Sequence, residues 1–207
     1  MEKQSNSFLS KVAAAFKRPR FVVEFVAWVL ALALLLAALI GYGVRKEANV
    51  TVYKVGDKCP EFILETYKSD NNADGFSTFG INKVTVINYW YTTCDPCKEE
   101  LPHFEKVYEE YDGDIDMFVV HSYVIYSPAG VQPFLDTEVD PNGRVWNTYK
   151  LVWAQDTEEI NSYAMFGGTG AFPQTVVVNA RGYISTIVKG KCSENDLRVA
   201  IQKALAE

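Results

Sequence analysis

The longest apolar stretch of the chain runs from residue 25 to residue 43 and contains no charged side chain. Its length is close to the ~20 residues that a helix needs to cross the hydrocarbon layer of a membrane. A cleaved signal peptide is the alternative, but its apolar region usually has only about 7–15 residues, and no small-residue cleavage site follows before Arg45. The pattern predicts an uncleaved transmembrane anchor at 25–43, with a segment 1–24 before it and a linker 44–52 after it.

Basic residues are more numerous before this anchor than after it. Lys11, Lys17, Arg18 and Arg20 precede it, and Arg45, Lys46 and Lys54 follow it. The cytoplasmic flank of a membrane helix carries the excess of lysine and arginine. We therefore expect the segment 1–24 to be cytoplasmic and the chain after the anchor to be extracytoplasmic.

After the linker, the hydrophobic pattern alternates between the period of a strand and the period of a helix. Val84–Trp90 is β-branched and aromatic, which is the profile of a buried strand. Apolar residues then recur at steps of three and four, the spacing of one helical face. These residues are Cys97, Leu101, Phe104, Tyr108 and Tyr111. Residues 117–125 predict a second strand, and the helical crossover predicts that the two strands are parallel.

The second half of the chain contains further predicted elements. They are helix 131–139, strand 149–154, helix 158–165 and the two strands of a hairpin, 175–179 and 183–188. A final helix is predicted after Ser193, which forms a capping-box pattern with Asp196. This order predicts one α/β domain at 53–207, in which helices flank a central mixed β-sheet.

Composition and motifs argue against several classes of function. The formal net charge is −6 and no basic cluster accompanies it, which argues against a nucleic-acid partner. A zinc ribbon would need a second CxxC pair, and His103 and His121 belong to different predicted elements. The glycine-rich segment 167–170 lacks the lysine of a phosphate loop and is interpreted as a flexible approach to Pro173. We therefore expect neither a metal nor a cofactor.

Two cysteines, Cys94 and Cys97, stand where the first strand gives way to the helix. Unsatisfied backbone N–H groups and the positive end of the helix dipole favour a thiolate at Cys94. Cys97 lies one turn later on the same face, so a disulfide between the two is geometrically possible. Pro96 suits the first turn, where no N–H is needed. Cys94 can then attack a substrate disulfide, and Cys97 can resolve the mixed disulfide.

Two acidic residues are expected to modulate this pair. Asp95 places a negative charge beside Cys94, which raises the pKa of the thiol and favours reducing over oxidising work. Glu100 follows Cys97 by three residues on the same side of the helix, where a partly buried carboxylate can take the proton from Cys97. The alternative for Glu100 is a solvated surface acid, as expected for Glu99.

Four segments in combination resemble one known family. They are "VGDKCPEF", "VINYWYTTCDPCKEELPHF", "GAFPQTVVVNARGYI" and "KGKC". They resemble the TlpA/ResA-like, membrane-anchored thiol-disulfide oxidoreductases of the thioredoxin superfamily, over nearly all of 53–207. The resemblance implies a thioredoxin-like fold, protein substrates that bear disulfides, and a CcdA-like membrane thiol carrier as electron donor.

The resemblance also implies roles for four residues. Cys94 is the exposed nucleophile, Cys97 the resolving cysteine and Glu100 the acid/base of the reductive members. Pro173 is a cis-proline that faces the disulfide, although trans is the commoner form of an X–Pro bond.

Three positions bear on how far the resemblance extends. Asn88 stands where thioredoxins carry a buried acid, which leaves the proton role to Glu100. Thr93 replaces the usual tryptophan before the first cysteine, and Phe172 precedes the proline. Both would touch substrate, so the identity of the substrate is not carried over from the family.

The two other cysteines, Cys59 and Cys192, are either free small hydrophobic residues or a structural disulfide that joins the ends of the domain. The even number of cysteines and the extracytoplasmic compartment favour the disulfide.

The sequence thus predicts a membrane-anchored enzyme that reduces disulfides in partner proteins. A disulfide oxidase or isomerase is the alternative among enzymes. A non-catalytic tether that binds a partner protein or a soft metal such as Cu(I) through the same thiolates is the alternative of another class.

Overall fold

The computed structural model describes residues 19–47, 50–70, 75–78, 83–123 and 128–207. Three parts of the predictions lie outside these ranges: residues 1–18 of the N-terminal segment, 48–49 of the linker and 124–125 of the second strand.

The first helix, α1 (Pro19–Glu47), contains the whole of the predicted anchor and continues into the first residues of the predicted linker. Its window Val22–Leu39 has a mean hydropathy of 2.6, and none of this window is buried. By length and composition, α1 can therefore cross a membrane.

The described residues from 50 to 207 contain a seven-stranded mixed sheet. Its strands are β1 (Ile63–Thr66), β2 (Gly75–Thr78), β3 (Val84–Trp90), β4 (Ile115–His121), β5 (Val152–Gln155), β6 (Gln174–Val178) and β7 (Ile184–Lys189). They lie in the order β2-β1-β5-β4-β3-β6-β7. Strands β3, β4 and β5 are parallel, and all other neighbours are antiparallel.

Helices connect and cover these strands. They are α2 (Asp95–Glu110), α3 (Val131–Thr137), α4 (Ser162–Met165) and α5 (Glu194–Ala206), with 3₁₀ turns at Pro128–Gly130 and Trp146–Thr148. The predicted strand β3, helix α2, parallel pair β3–β4, hairpin β6–β7 and helix α5 are confirmed.

The weaker predictions need correction. The helix expected at 158–165 is a single turn, because Asn161 adopts a left-handed conformation (φ 45°) and α4 starts only at Ser162. The strand expected at 149–154 begins at Val152, since a 3₁₀ turn occupies Trp146–Thr148. Strands β1 and β2 were not predicted.

The sheet has a hydrophobic core on each face, and side chains of β3 alternate between them. Val86 and Trp90 pack with Leu101 of α2 and Ile201 of α5 in the α2-face core. The α4-face core lies on the other side. Its members include Ile87, Tyr89, Phe118, Tyr163 and Phe166. All seven residues of β3 are buried, and the strand contributes side chains to both cores.

The expected Cys59–Cys192 disulfide is wrong: both residues are free cysteines. Cys192 is buried in the α2-face core, whereas Cys59 packs against the α4-face core. The sheet therefore lies between the two thiols. Burial raises the pKa of each thiol to about 12, so both stay protonated and behave as small hydrophobic residues.

The cap of α5 gives a test of local stability. Ser193 has an extended backbone and its Oγ accepts the N–H of Asp196 at 3.2 Å, as the capping-box pattern predicts. Replacing Ser193 with alanine is expected to lower the free energy of unfolding by about 1 kcal/mol, because the N–H loses its acceptor. Denaturant unfolding followed by circular dichroism measures this, with Ser193→Thr as the control that keeps the cap. Equal midpoints for the alanine and threonine variants would contradict the role of the cap.

Candidate active site

Cys94 and Cys97 form a disulfide at the start of α2, with a Cα–Cα distance of 5.2 Å. Cys94 is the N-cap residue, and its Sγ accepts the backbone N–H of Cys97 at 3.2 Å. Pro96 lies in the first turn, where its missing N–H costs no helical bond. The first sulfur thus lies at the end of the helix where N–H groups favour a thiolate.

The disulfide lies just beneath the surface. Cys97 is fully buried, and Cys94 is only 2 % exposed, which corrects the expectation that Cys94 is exposed. The physical reason is that Cys94 belongs to the α2-face core, against which the half-buried side chains of Tyr91 and Phe172 also pack. The preceding residue, Thr93, is exposed, so the neighbour of the nucleophile in the chain is in contact with solvent.

Glu100 is a buried carboxylate, not a surface acid, because its exposure is 0 %. The Asn88 side-chain amide of β3 donates to Oε1 at 2.8 Å, and the backbone N–H of Cys192 donates to Oε2 at 2.8 Å. The carboxyl group lies one helical turn beyond Cys97 on the buried face of α2. Each carboxylate oxygen therefore accepts one hydrogen bond.

Burial dominates the protonation of this carboxyl group. It raises the pKa of Glu100 to about 7, while the bonds from Cys192 and Asn88 and the charge of Lys191 act in the opposite direction. Lys191 itself pairs with the exposed Glu99 at 2.6 Å. A carboxyl group with a pKa near neutral can both accept and release a proton at physiological pH.

The structure weakens the role expected for Asp95. Its carboxylate is 81 % exposed, and Nζ of Lys98 lies 2.7 Å from Oδ1. The negative charge expected to act on Cys94 is therefore offset by the lysine and screened by solvent.

Pro173 lies at the same edge of the sheet as the disulfide. The Phe172–Pro173 bond is cis, the form that the family resemblance implies. Strand β6 starts at Gln174, which pairs with Tyr89 near the end of β3. Because Cys94 follows that end by four residues, the proline and the disulfide belong to one region.

The ring of Phe172 belongs to an aromatic cluster that was not predicted. This ring stacks on Tyr163 at 4.3 Å and meets Tyr91 edge-on at 5.2 Å. The Tyr163 hydroxyl accepts the N–H of Gly170 and donates to the carbonyl of Ala171. A Cβ at Gly168 would lie 2.5 Å from the Tyr163 ring. The glycine-rich segment is thus packed tightly around Tyr163, which corrects its interpretation as a flexible approach.

Asp156 holds the start of α4 and with it the position of Tyr163. Its carboxylate accepts the N–H and the hydroxyl of Ser162, and the N–H of Tyr163. Burial raises the pKa of Asp156. No pattern in the sequence indicated this residue, because the helix was expected to start at residue 158 and not at its partner Ser162.

The histidines take no part in the site. Burial lowers the pKa of His121 to about 4, so this side chain is neutral at pH 7. His103 lies on α2, with Nδ1 3.3 Å from a carboxylate oxygen of Glu194. Within the described ranges, no group of three or more histidine, cysteine, aspartate or glutamate side chains could hold a metal ion.

A cysteine pair that can cycle between disulfide and dithiol at a helix N-terminus, set in this sheet, defines a class: a thiol-disulfide oxidoreductase with a thioredoxin-like fold. The chain belongs to the AhpC/TSA family, whose model matches residues 55–187.

Individual relatives indicate which members of this class the chain is similar to. The thiol-disulfide oxidoreductase ResA of Oceanobacillus iheyensis is 26% identical over 182 residues, which cover 84% of this chain and 83% of the relative. ResA of Geobacillus thermodenitrificans is 24% identical over 168 residues, covering 80% and 87%. The crystal structure of a thiol:disulfide interchange protein from Chlorobium tepidum superimposes with a TM-score of 0.54 and 18% identity, covering 74% of this chain and 99% of that one. The relatives confirm the ResA-like resemblance, and the solved structure confirms the fold.

Proposed function

We propose that this protein is a membrane-anchored reductase of disulfides in extracytoplasmic proteins. The observation that carries the proposal is the buried Glu100 carboxyl, held by two donors one turn beyond Cys97. Such a group suits an enzyme that must repeatedly deprotonate a buried resolving thiol. Helix α1 would be the anchor, with 1–24 in the cytoplasm, 44–52 as linker and 53–207 as the catalytic domain.

The reaction proceeds in two exchanges. The Cys94 thiolate attacks one sulfur of the substrate disulfide, forming a mixed disulfide and releasing the other sulfur as a thiolate. Cys97 then gives its proton to Glu100 and attacks the Cys94 sulfur. The Cys94–Cys97 bond forms, the bond to substrate breaks, and the second substrate sulfur leaves. Two electrons pass from the dithiol to the substrate, and both released thiolates take up protons.

Charge favours the reducing direction. A buried carboxylate disfavours a thiolate nearby, which destabilises the reduced form and lowers the reduction potential. The ion-paired Asp95 adds little to this effect, so Glu100 is the main contributor. The dithiol would be regenerated by a CcdA-like thiol carrier in the membrane, and the substrates would be proteins that bear disulfides.

The reduction potential of the full-length protein in detergent, equilibrated with thiol buffers, tests the direction. We expect a value below about −200 mV, in the range of reductants. A Cys59→Ala variant should give the same value, because that thiol is remote from the pair. A potential near about −120 mV would indicate an oxidase instead.

A further inference from the structure

The Asn88 side chain joins Glu100 to strand β6. Its Nδ2 donates to Glu100 Oε1 at 2.8 Å and to the Thr175 hydroxyl at 3.2 Å. Asn88 and Thr175 are register partners on the antiparallel strands β3 and β6, so their side chains share a face of the sheet. All three residues are fully buried. The two N–H bonds of one amide are thus both used.

The other end of this amide has a different environment. Asn88 Oδ1 is buried and has no hydrogen-bond partner among the described residues. Rotating the amide by half a turn would exchange Nδ2 and Oδ1 while keeping the same volume. A donor of two hydrogen bonds would then become an acceptor of two.

The two oxygens of Glu100 respond differently to a proton. Oε2 accepts a hydrogen bond from the backbone N–H of Cys192, and an unprotonated carboxyl oxygen accepts this bond better than the hydroxyl oxygen that a proton on Oε2 would create. Oε1 faces the amide of Asn88, which can reverse. The proton therefore belongs on Oε1.

We propose that the Asn88 amide reverses each time Glu100 is protonated, so that Oδ1 accepts hydrogen bonds from the Glu100 O–H and from the Thr175 hydroxyl. This inference rests on the proposed role of Glu100 as acceptor of the Cys97 proton. In the step, the proton leaves the Cys97 sulfur and binds Oε1, and no other covalent bond changes. Asn88 and Thr175 are positioning residues, since they act through Glu100.

Thr175 suits this function because a hydroxyl both accepts and donates. It accepts from Nδ2 while Glu100 is ionised and donates to Oδ1 once Glu100 is protonated. A valine at this position has nearly the same shape but can do neither. Serine keeps the hydroxyl, so Thr175→Val and Thr175→Ser form a matched pair.

Lys191 is a charged residue that acts on Glu100. Lys191 precedes α5 and pairs with Glu99 of α2, and its charge acts on Glu100 in both states. The Cys192 thiol stays protonated because burial raises its pKa. In the oxidised protein Cys97 does not titrate, so this form isolates the titration of Glu100.

Nuclear magnetic resonance on the oxidised full-length protein in detergent micelles tests the reversal. Carboxyl-labelled glutamate reports the titration of Glu100, and nitrogen-labelled asparagine reports contacts between the Asn88 amide protons and Thr175. We expect these contacts above the midpoint of the Glu100 titration and their loss below it. In the Glu100→Gln variant the contacts should no longer change at that pH.

The matched pair adds a second readout. In Thr175→Val, the ionised state leaves an amide N–H without an acceptor, which costs more than an Oδ1 that lacks its second donor. The midpoint of Glu100 should therefore rise by about one unit, a tenfold change in proton affinity. In Thr175→Ser it should stay near that of the unmodified protein.

The outcomes separate this inference from the proposed function. A Glu100 that titrates while the Asn88 contacts persist, or an equal midpoint in the valine and serine variants, overturns the reversal and leaves the reductase proposal standing. A reversal that follows Glu100, combined with disulfide reduction that is independent of Glu100, would instead remove the proposed proton acceptor. A carboxyl that does not titrate between about pH 5 and about pH 9 overturns both.

Discussion

The Cys94→Ser variant loses at least about a thousandfold in disulfide-reducing activity, because a serine hydroxyl cannot replace the thiolate that makes the first attack. The Cys97→Ser variant also fails to turn over, but for a different reason. Cys94 still attacks, and the mixed disulfide then accumulates because no thiol resolves it. Mass spectrometry of the variant mixed with an oxidised protein substrate should detect this adduct.

A Cys192→Ala variant is the control for the cysteine variants, since Cys192 is also buried in the α2-face core but lies outside the pair. It should retain turnover. The assigned roles would be wrong if the covalent adduct formed with Cys94→Ser and not with Cys97→Ser.

Glu100→Gln slows the resolution of the mixed disulfide by about 100-fold above neutral pH, which is the lower range of general acid–base effects. The sign of the pH dependence follows from burial, which raises the pKa of Glu100 to about 7. Below this value Glu100 already holds a proton and cannot accept one from Cys97. The rate should therefore fall as the pH falls through about 7 in the unmodified protein, and this fall should be absent from the glutamine variant.

Rapid-mixing measurements of substrate release at several pH values test this prediction. Glu99→Gln is the matched control, because Glu99 is the preceding residue on α2 but is exposed and paired with Lys191. Its pH profile should keep the fall near neutrality. The same profile in the Glu100 and Glu99 variants would contradict the proton role.

Local sequence determined the parts of the fold that could be predicted. Strand β3 and helix α2 carry clear periods of hydrophobic residues, and they place Cys94 and Cys97 at the junction between them. Strand β1 has four residues and pairs with β5, where Glu65 lies opposite Gln155. These two residues are far apart in the chain, so no short window of sequence contains both of them.

The surroundings of the site could be predicted only in part. The position of Glu100 on α2 followed from helical spacing, but its carboxylate also accepts the backbone N–H of Cys192, which is 92 residues later in the chain. Likewise, spacing alone does not tell which face of a sheet a cysteine joins, and this is why the disulfide between Cys59 and Cys192 was wrongly expected. The cluster of Phe172 and Tyr163 was not predicted, because Gly168 was the only residue nearby in sequence that indicated it.

The separation of Cys59 and Cys192 by the sheet makes a disulfide between them incompatible with the native fold. In the folded domain neither thiol can reach the other, and burial keeps both in the unreactive protonated form. A bond between them can form only after the sheet has come apart. A bond between Cys59 and Cys192 would therefore mark a molecule outside the native fold.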